Sequence, residues 1–254
     1  MGLFKTPPRL GCPGLFITGT DTDVGKTVAA CAIAATLRGR GMRVGVCKPI
    51  ATGCRFDVSR LVSDDAEALA HYADCRLPLD VVNPVRYREA LAPLVAADRA
   101  GRPVGFDLIA ESLERLDAAS DVMLIEGIGG LLVPLADDVA VLDLAAAIGY
   151  PVAVVTRPDL GTLNHTAMTC ALIRQRGLRL AGLILNRYNA ETSDTAHATN
   201  PPYLARLNQT TILATLPDVK GEAVTPHRAR IPGDLLAAAE TMDWAAAARR
   251  AAPC

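Results

Sequence analysis

Short, uninterrupted apolar runs alternate along this chain with longer stretches of helical composition. Six such runs lie at 15–18, 42–47, 121–125, 151–156, 180–185 and 211–214. Strands that are apolar at successive positions are buried on both faces, and strands that alternate with helices form parallel sheets. The pattern therefore predicts an α/β fold, a single doubly wound and mostly parallel sheet with helices on both faces.

The helices are predicted from apolar periodicity and from capping residues. They cover 26–40, from 63 or 64 to about 72, 107–118, 139–148, from 161 to 177, and 234–249. Ser63 or Asp64 can cap the second of these. Residues 83–93 are predicted as a proline-bounded connection. Neither a repeat nor a linker is apparent, so we expect one domain at 15–254. Residues 1–14 are expected to form a loose N-terminal extension.

Residues 15–28, LFITGTDTDVGKTV, carry the pattern of a phosphate-binding loop. A strand, a glycine-containing turn, Gly-Lys-Thr and a helix follow one another, as in P-loop NTPases. The unpaired N–H groups and partial positive charge of a helix N-terminus bind polyphosphate. Lys26 is expected to reach the β- and γ-phosphates and Thr27 to bind magnesium. The alternative is a turn before a surface helix, with Lys26 in solvent.

The loop departs from the usual pattern at three positions. Thr20 stands where a glycine is expected, and Gly19 comes one residue earlier. Asp21 and Asp23 would repel a nucleotide unless they bind a metal ion or a cationic second substrate.

Polar residues at the carboxyl ends of the strands are the next candidates, because ligands of such sheets bind there. Glu126 could supply a carboxylate to magnesium, and the glycines at 127–130 allow backbone to approach phosphates. Magnesium takes one or two carboxylates, so Asp64 and Asp65 are both candidates. Each of the three acids could also be an ordinary solvated or capping residue.

Two further segments suit anions. Lys48 ends a strand and precedes a proline, so it could stabilise an anionic intermediate, with Thr52 in the same loop. The alternative is a lysine that only extends to solvent from the strand end. Residues 160–165, LGTLNH, place small polar groups at a helix N-terminus, which suits a carboxylate. There, Thr162 or Asn164 could instead be an ordinary N-cap.

Composition excludes several classes of function. The net charge of −1 argues against a nucleic-acid or membrane-surface partner, and no apolar run is long enough to span a membrane. The first 14 residues lack the features of a secretory signal. The seven cysteines form no Cys-x-x-Cys pair, which favours reduced thiols in a cytoplasmic protein. Neither a Ser/His/Asp nor a Cys/His signature is present.

Five motifs together resemble the dethiobiotin synthetase family and come in its order. They are GTDTDVGKT at 19–27, KPIATG at 48–53, SDDAEAL at 63–69, EGIGGLLVPL at 126–135 and LGTLNH at 160–165. The resemblance spans about 15–217 and implies a ligase of biotin biosynthesis that depends on ATP and Mg2+. It implies that 7,8-diaminopelargonic acid and CO2 give dethiobiotin, ADP and phosphate through a carbamate and a carbamic-phosphoric anhydride.

The resemblance also implies roles for individual residues. Lys26 and Lys48 stabilise phosphate and carbamate charge as catalytic residues. Magnesium is bound by Thr27, Asp65 and Glu126, since Asp65 directly precedes Ala66 as the family pattern requires. The nucleotide site comprises Asp23, Val24, Gly25, Lys26, Thr27, Val28, Glu126, Gly127, Ile128, Gly129, Asn186, Pro217, Asp218 and Val219. The substrate site comprises Thr20, Asp23, Lys48, Thr52, Leu160, Gly161, Thr162 and Asn164.

In this family the helix at 160–164 comes from the partner subunit, so the resemblance implies a homodimer with its site at the interface. Asp159 stands before LGTLNH where some members carry a basic residue, and residues 188–210 match weakly. The main rival is a partition- or division-type ATPase switch, which carries an additional lysine early in the loop, at the position of Asp21. A cobyrinate-type amidoligase would need a glutaminase domain. A nucleotide-binding structural module is the third alternative.

Overall fold

The computed structural model describes residues 3–219, 224–225 and 230–249. The strands are β1 (Gly14–Gly19), β2 (Val44–Cys47), β3 (Ile50–Ala51), β4 (Arg55–Asp57), β5 (Arg60–Val62), β6 (Val85–Arg86), β7 (Val122–Glu126), β8 (Pro134–Ala136), β9 (Val139–Ala140), β10 (Val152–Thr156), β11 (Leu180–Tyr188) and β12 (Ile212–Pro217). The helices are α1 (Lys26–Gly39), α2 (Asp64–Ala73), α3 (Leu79–Val82), α4 (Pro93–Ala100), α5 (Phe106–Ala118), α6 (Val141–Ile148), α7 (Thr162–Gln175), α8 (Thr195–Leu207), α9 (Gly233–Glu240) and α10 (Trp244–Ala247).

The six predicted strands form one sheet in the order β12-β11-β10-β1-β7-β2. Every pairing within it is parallel, which confirms the predicted fold. β1 lies between β10 and β7, so the phosphate loop leaves the middle of the sheet. Chain segments that are distant in sequence therefore end beside it.

Successive residues of β1 enter different cores. Leu15 and Ile17 are fully buried with residues of α1, α2 and α9. Phe16 is fully buried with residues of α5, α6 and α7. Since strand side chains alternate between faces, the two clusters are the two helical layers expected of a doubly wound sheet.

The predicted C-terminal helix at 234–249 is wrong in one respect: it is two helices. α9 ends at Glu240, and α10 begins after Asp243, whose carboxylate accepts a hydrogen bond from the Ala246 N–H at 3.0 Å. The break turns Trp244 into the core, where its indole N–H donates to the Ala239 carbonyl at 2.8 Å. Residues 250–254 lie outside the described residues.

The N-terminal segment differs from the loose extension that we expected. Phe4 is 5% exposed and belongs to the core beside α5. The N–H groups of Gly11 and Cys12 each donate to the Asp117 carboxylate at 2.9 Å. Residues 3–13 therefore lie along α5, because acids on the exposed face of that helix accept hydrogen bonds from the segment's backbone.

Several short elements were not predicted from the sequence. The predicted helix at 139–148 starts at Val141, because Val139–Ala140 pairs with β8. The connection at 83–93 contains β6, which pairs in parallel with β3. α4 and α8 were not predicted at all. Within the part of the chain that the structure describes, none of the helices combines the length and apolarity needed to cross a bilayer.

Candidate functional site

The phosphate loop ends in a glycine that no other residue can replace without movement. Gly25 is the N-cap of α1, has φ +94°, and provides no side-chain hydrogen bond to the first turn. A Cβ on Gly25 would lie 1.9 Å from Asn186 Nδ2. Asn186 in turn donates to the Val24 carbonyl at 2.9 Å. The loop is thus fixed from β11, while the first N–H groups of α1 have no side-chain cap and remain suited to an anion.

Lys26 is buried at the start of α1, with 6% of its surface exposed. Its ammonium donates to the Asp21 carbonyl at 2.9 Å. Burial, together with repulsion from Lys48, lowers the pKa of Lys26 from its ordinary 10.5 to about 8. A group of phosphates would reverse this effect, since it supplies negative charge to a poorly solvated cation.

Lys48 lies directly beyond β2 and is in contact with two carboxylates. Its Nζ is 2.5 Å from Glu126 Oε1 and 2.9 Å from Asp65 Oδ2. Burial alone would lower the pKa of Lys48, but the charges of Glu126 and Asp65 outweigh burial and hold it above its ordinary value. Lys48 is therefore charged at neutral pH. Its side chain is 4% exposed and that of Glu126 is 1% exposed. Neither residue therefore extends into solvent from its strand end, which was the alternative interpretation of each.

Thr27, Asp65 and Glu126 converge through their oxygen atoms. Thr27 Oγ1 lies 2.9 Å from Asp65 Oδ1 and 2.9 Å from Glu126 Oε1. Among the described residues, Glu126 Oε2 has no hydrogen-bond partner although it is buried. Such an unpartnered oxygen, with a second carboxylate and a hydroxyl nearby, fits the few hard oxygen ligands that Mg2+ takes from protein. The group of Thr27, Asp65 and Glu126 has only two carboxylates. A cluster of three or more His, Cys, Asp or Glu side chains that could hold a metal ion is not found anywhere in the part of the chain that the structure describes.

The structure separates the two neighbouring acids that the residues alone left open. Arg55 donates to Asp64 at 2.8 Å and also pairs with Glu67. Asp65 is left for Lys48, whose charge lowers the pKa of Asp65. Ser63, one of the two predicted caps, begins α2 by accepting from the Ala66 N–H at 3.4 Å.

A cavity of about 1060 Å³ contains most of the predicted site. This volume is at the upper end of the range of about 300–1,000 Å³ that is usual for small-molecule sites. The predicted residues that line it are Asp23, Gly25, Lys26, Thr27, Val28, Lys48, Thr52, Asp65, Glu126, Ile128, Gly129, Asn186, Pro217 and Val219, and the alternative acid Asp64 lines it too. Those that do not line it are Thr20, Val24, Gly127, Asp218, Leu160, Gly161, Thr162 and Asn164.

The start of α7 lies apart from this cavity. Leu160 is 89% exposed. Gly161 is the N-cap, with φ +95° and no side-chain hydrogen bond, so the alternative of Thr162 or Asn164 as the cap is wrong. Thr162 Oγ1 is buried 2.8 Å from Thr156 Oγ1. The helix N-terminus is therefore exposed, and its side chains are not aimed at the cavity of their own chain.

Sequence reasoning missed several residues that line the cavity. Arg55 and the segment that includes Leu91 and Pro93 are among them. Arg55 comes three residues after Thr52, so its place in the same loop was the one available signal. The segment around Pro93 lines the cavity with apolar side chains, so it has no polar motif by which sequence reasoning could recognise it.

Solved structures share this fold at low sequence identity. The septum site-determining protein MinD of Pyrococcus horikoshii, solved with Mg-ADP, superposes with a TM-score of 0.54 at 14% identity, over 90% of this chain and 93% of that one. A putative plasmid partition protein of Borrelia burgdorferi, bound to AMPPNP, gives 0.54 at 14%, over 90% and 95%. At such identity the likeness confirms the P-loop fold but says nothing of activity.

Sequence relatives decide between the predicted family and its rival. A family model described as an AAA domain matches residues 13–223. A protein of Anaeromyxobacter sp. (strain Fw109-5), named ATP-dependent dethiobiotin synthetase BioD, is 41% identical over 87% of this chain and 98% of its own. A Bacillus licheniformis protein of the same name is 35% identical, over 84% and 88%. The chain belongs to the ATP-dependent dethiobiotin synthetase family.

Proposed function

We propose that this enzyme forms dethiobiotin from 7,8-diaminopelargonic acid, CO2 and ATP, with release of ADP and phosphate. The observation that carries the proposal is the cluster of Lys48, Asp65, Glu126 and Thr27 beside Lys26, in one cavity with the phosphate loop. Lys48 and Glu126 are buried in it, while Asp65 and Thr27 are partly exposed to the cavity. Two lysines and a magnesium site are suited to a reaction whose phosphate and carbamate groups are all anionic.

ATP occupies the part of the cavity between the phosphate loop and the ends of β11 and β12. The N–H groups at the start of α1 and the ammonium of Lys26 bind the β- and γ-phosphates. Asn186, buried against the loop, and Pro217 and Val219 lie on the side of the base. Asp218 lies next to them along the chain.

Thr27, Asp65 and Glu126 hold Mg2+ in this proposal, and the hard oxygen ligands described above support it. When bound, the ion offsets phosphate charge and orients the γ-phosphate for in-line attack. Asp65→Asn is expected to raise the Mg2+ concentration needed for half-maximal activity, while Asp64→Asn is the matched control. Equal Mg2+ requirements in both variants would exclude Asp65 as a ligand.

The reaction proceeds in three steps at this cluster. One amine of the substrate attacks CO2 and loses a proton, which gives a carbamate. A carbamate oxygen then attacks the γ-phosphorus of ATP, and ADP leaves. Finally the second amine attacks the carbonyl carbon and loses a proton, the C–O bond to the phosphate breaks, and the ureido ring closes as phosphate leaves. Lys48 and Lys26 stabilise the negative charge of the carbamate and of the transferred phosphoryl group.

The acidic side of the phosphate loop meets the diamine. Asp23 is exposed and lines the cavity, and Thr52 lines the same cavity from the loop after Lys48. An aspartate that would repel ATP attracts a cationic amine instead. Thr20, although it does not line the cavity, belongs to the same loop.

A second copy of the chain supplies the site for the substrate carboxylate. The N-terminus of α7 suits a carboxylate but lies outside the cavity of its own chain. A homodimer places residues 160–164 of one subunit at the site of the other. This arrangement gives a role to Leu160, which is 89% exposed.

The enzyme acts in the cytoplasm, without a nucleic-acid or membrane partner. The net charge of −1 and the free thiols of all six described cysteines support this.

The test is product formation by the purified enzyme. Diaminopelargonate, bicarbonate and Mg-ATP are mixed with it, and dethiobiotin and ADP are measured by mass spectrometry. One ADP is expected for each dethiobiotin formed. ADP release without dethiobiotin would instead favour an ATPase of the partition type, which has the same fold.

A further inference from the structure

Lys48 projects from a backbone that the main sheet does not hold. The pairing of β2 with β7 ends at Cys47 and Ile125. Lys48 comes next, and Pro49 after it has no N–H group to donate. The main chain of Lys48, whose ammonium contacts both carboxylates, therefore needs another support.

That support comes from the end of α3. The Lys48 N–H donates to the Val82 carbonyl at 2.8 Å. The Lys48 carbonyl accepts from Asn83 Nδ2 at 2.6 Å. Both backbone groups of Lys48 are thus bound by two consecutive residues, Val82 and Asn83, which are distant from Lys48 in the sequence.

The Asn83 amide acts as a double donor. Besides Lys48, its Nδ2 contacts the carbonyl of Val85 at 3.3 Å, at the start of β6. Asn83 is 0% exposed, and among the described residues its Oδ1 has no hydrogen-bond partner. If the amide were turned over, Oδ1 would face two carbonyl oxygens. The site therefore selects a side chain with two N–H hydrogens on one atom.

We propose that Asn83 is a positioning residue for Lys48. It does not line the cavity, and it acts by fixing the backbone from which the Lys48 ammonium reaches Glu126 and Asp65. The proposal rests on the proposed function, in which Lys48 stabilises the carbamate and the transferred phosphoryl group. A displacement of about 1 Å at such a group can cost about 100-fold in rate.

The test compares Asn83→Ala with Asn208→Ala. Asn208 is also buried, at 2% exposure, and its Nδ2 donates to the Leu204 carbonyl at 2.9 Å, so the control loses the same kind of bond away from the cavity. Both variants are expected to have a lower Tm. Only Asn83→Ala is expected to lower kcat, by about 10- to 100-fold, with the Kd for Mg-ATP unchanged.

Asn83→Ser serves if Asn83→Ala does not fold, because its hydroxyl keeps one donor. Its kcat is expected to fall between that of Asn83→Ala, where measurable, and that of the wild type. A wild-type kcat in a folded Asn83 variant would overturn the proposal, as would an equal loss of kcat in Asn208→Ala. If the wild type itself makes no dethiobiotin, the proposed function fails instead, so the two failures are distinguishable.

Discussion

Two buried lysines line the same cavity, and their pKa values move in opposite directions. The ammonium of Lys26 contacts a backbone carbonyl, so burial dominates and lowers its pKa to about 8. The ammonium of Lys48 contacts two carboxylates, which hold its pKa above the ordinary value. At the residue scale, the charge of Lys48 is already balanced by two carboxylates, whereas the charge of Lys26 has a carbonyl partner and would be stabilised by a bound anion.

Lys26→Met is expected to stabilise the ligand-free protein at pH 7. The folded chain binds the Lys26 proton less tightly than the unfolded chain. The charged lysine therefore lowers the free energy of unfolding, and this effect is at its full size below pH 8, where Lys26 is charged in both states. A shift from 10.5 to about 8 corresponds to about 3 kcal/mol. The gain should shrink as the pH rises towards 10.5, as measured by urea unfolding. The control is Lys5→Met, at an exposed lysine, and a destabilised Lys26→Met at pH 7 would contradict the account.

Lys48→Ala is expected to slow ring formation by about 30- to 1,000-fold, or ~2–4 kcal/mol of barrier. The variant loses the charge that stabilises the anionic intermediates in the proposed mechanism, and it leaves Glu126 buried without its cation. Steady-state dethiobiotin formation measures the loss, with circular dichroism as the check on folding. Normal turnover would remove Lys48 from the mechanism.

At the scale of elements, the site is built where strands end beside one another. β1 brings the phosphate loop, β7 brings Glu126, and β11 brings Asn186, whose amide holds the loop in place. Gly25 lies where the loop that follows β1 meets Asn186 of β11, so the contact between these two strands depends on its backbone conformation.

Gly25→Ala is expected to weaken Mg-ATP binding by about 5- to 150-fold, from strain of about 1–3 kcal/mol. Its φ of +94° disfavours alanine, and the added Cβ would meet Asn186 at 1.9 Å. Isothermal titration with Mg-ATP measures the change. Gly39→Ala is the control, since nothing lies within 4 Å of a Cβ there. Equal affinities for both variants would show that the loop tolerates the side chain.

Sequence alone could predict the six-stranded sheet because its strands are uninterrupted apolar runs, and the phosphate loop because its spacing is nearly fixed by chemistry. It could not separate Asp64 from Asp65 without the family pattern, since the choice depends on Arg55 nine residues away. α8 was missed because Pro201 and Pro202 lie inside it. Asn83 was missed because nothing in sequence links it to Lys48.

At the scale of the whole molecule, the cavity of one chain contains most of the residues predicted to bind the nucleotide but none of those predicted to bind the carboxylate. The N-terminus of α7 is exposed, and its residues do not line the main cavity. In the proposed homodimer, the N-terminus of α7 from one subunit lies at the cavity of the other, so each complete site contains residues of both subunits.

Leu160→Asp is expected to dissociate the dimer and to raise the KM for diaminopelargonate. A carboxylate at a helix N-terminus gains up to about 2 kcal/mol, which corresponds to roughly 30-fold. Sedimentation velocity and steady-state kinetics measure the two effects together. Leu108→Asp, at an exposed leucine of α5, is the control and should leave both unchanged. A fully active monomeric wild type would exclude the shared site.

The most direct test follows oxygen from CO2 into phosphate. If a carbamate oxygen attacks the γ-phosphorus, the released phosphate keeps that oxygen when the ring closes. The enzyme is mixed with 13C,18O-labelled bicarbonate, diaminopelargonate and Mg-ATP, and the reaction is stopped before the label exchanges with water. The account predicts 13C in dethiobiotin and one 18O in each phosphate. Labelled dethiobiotin with unlabelled phosphate would contradict the carbamic-phosphoric anhydride.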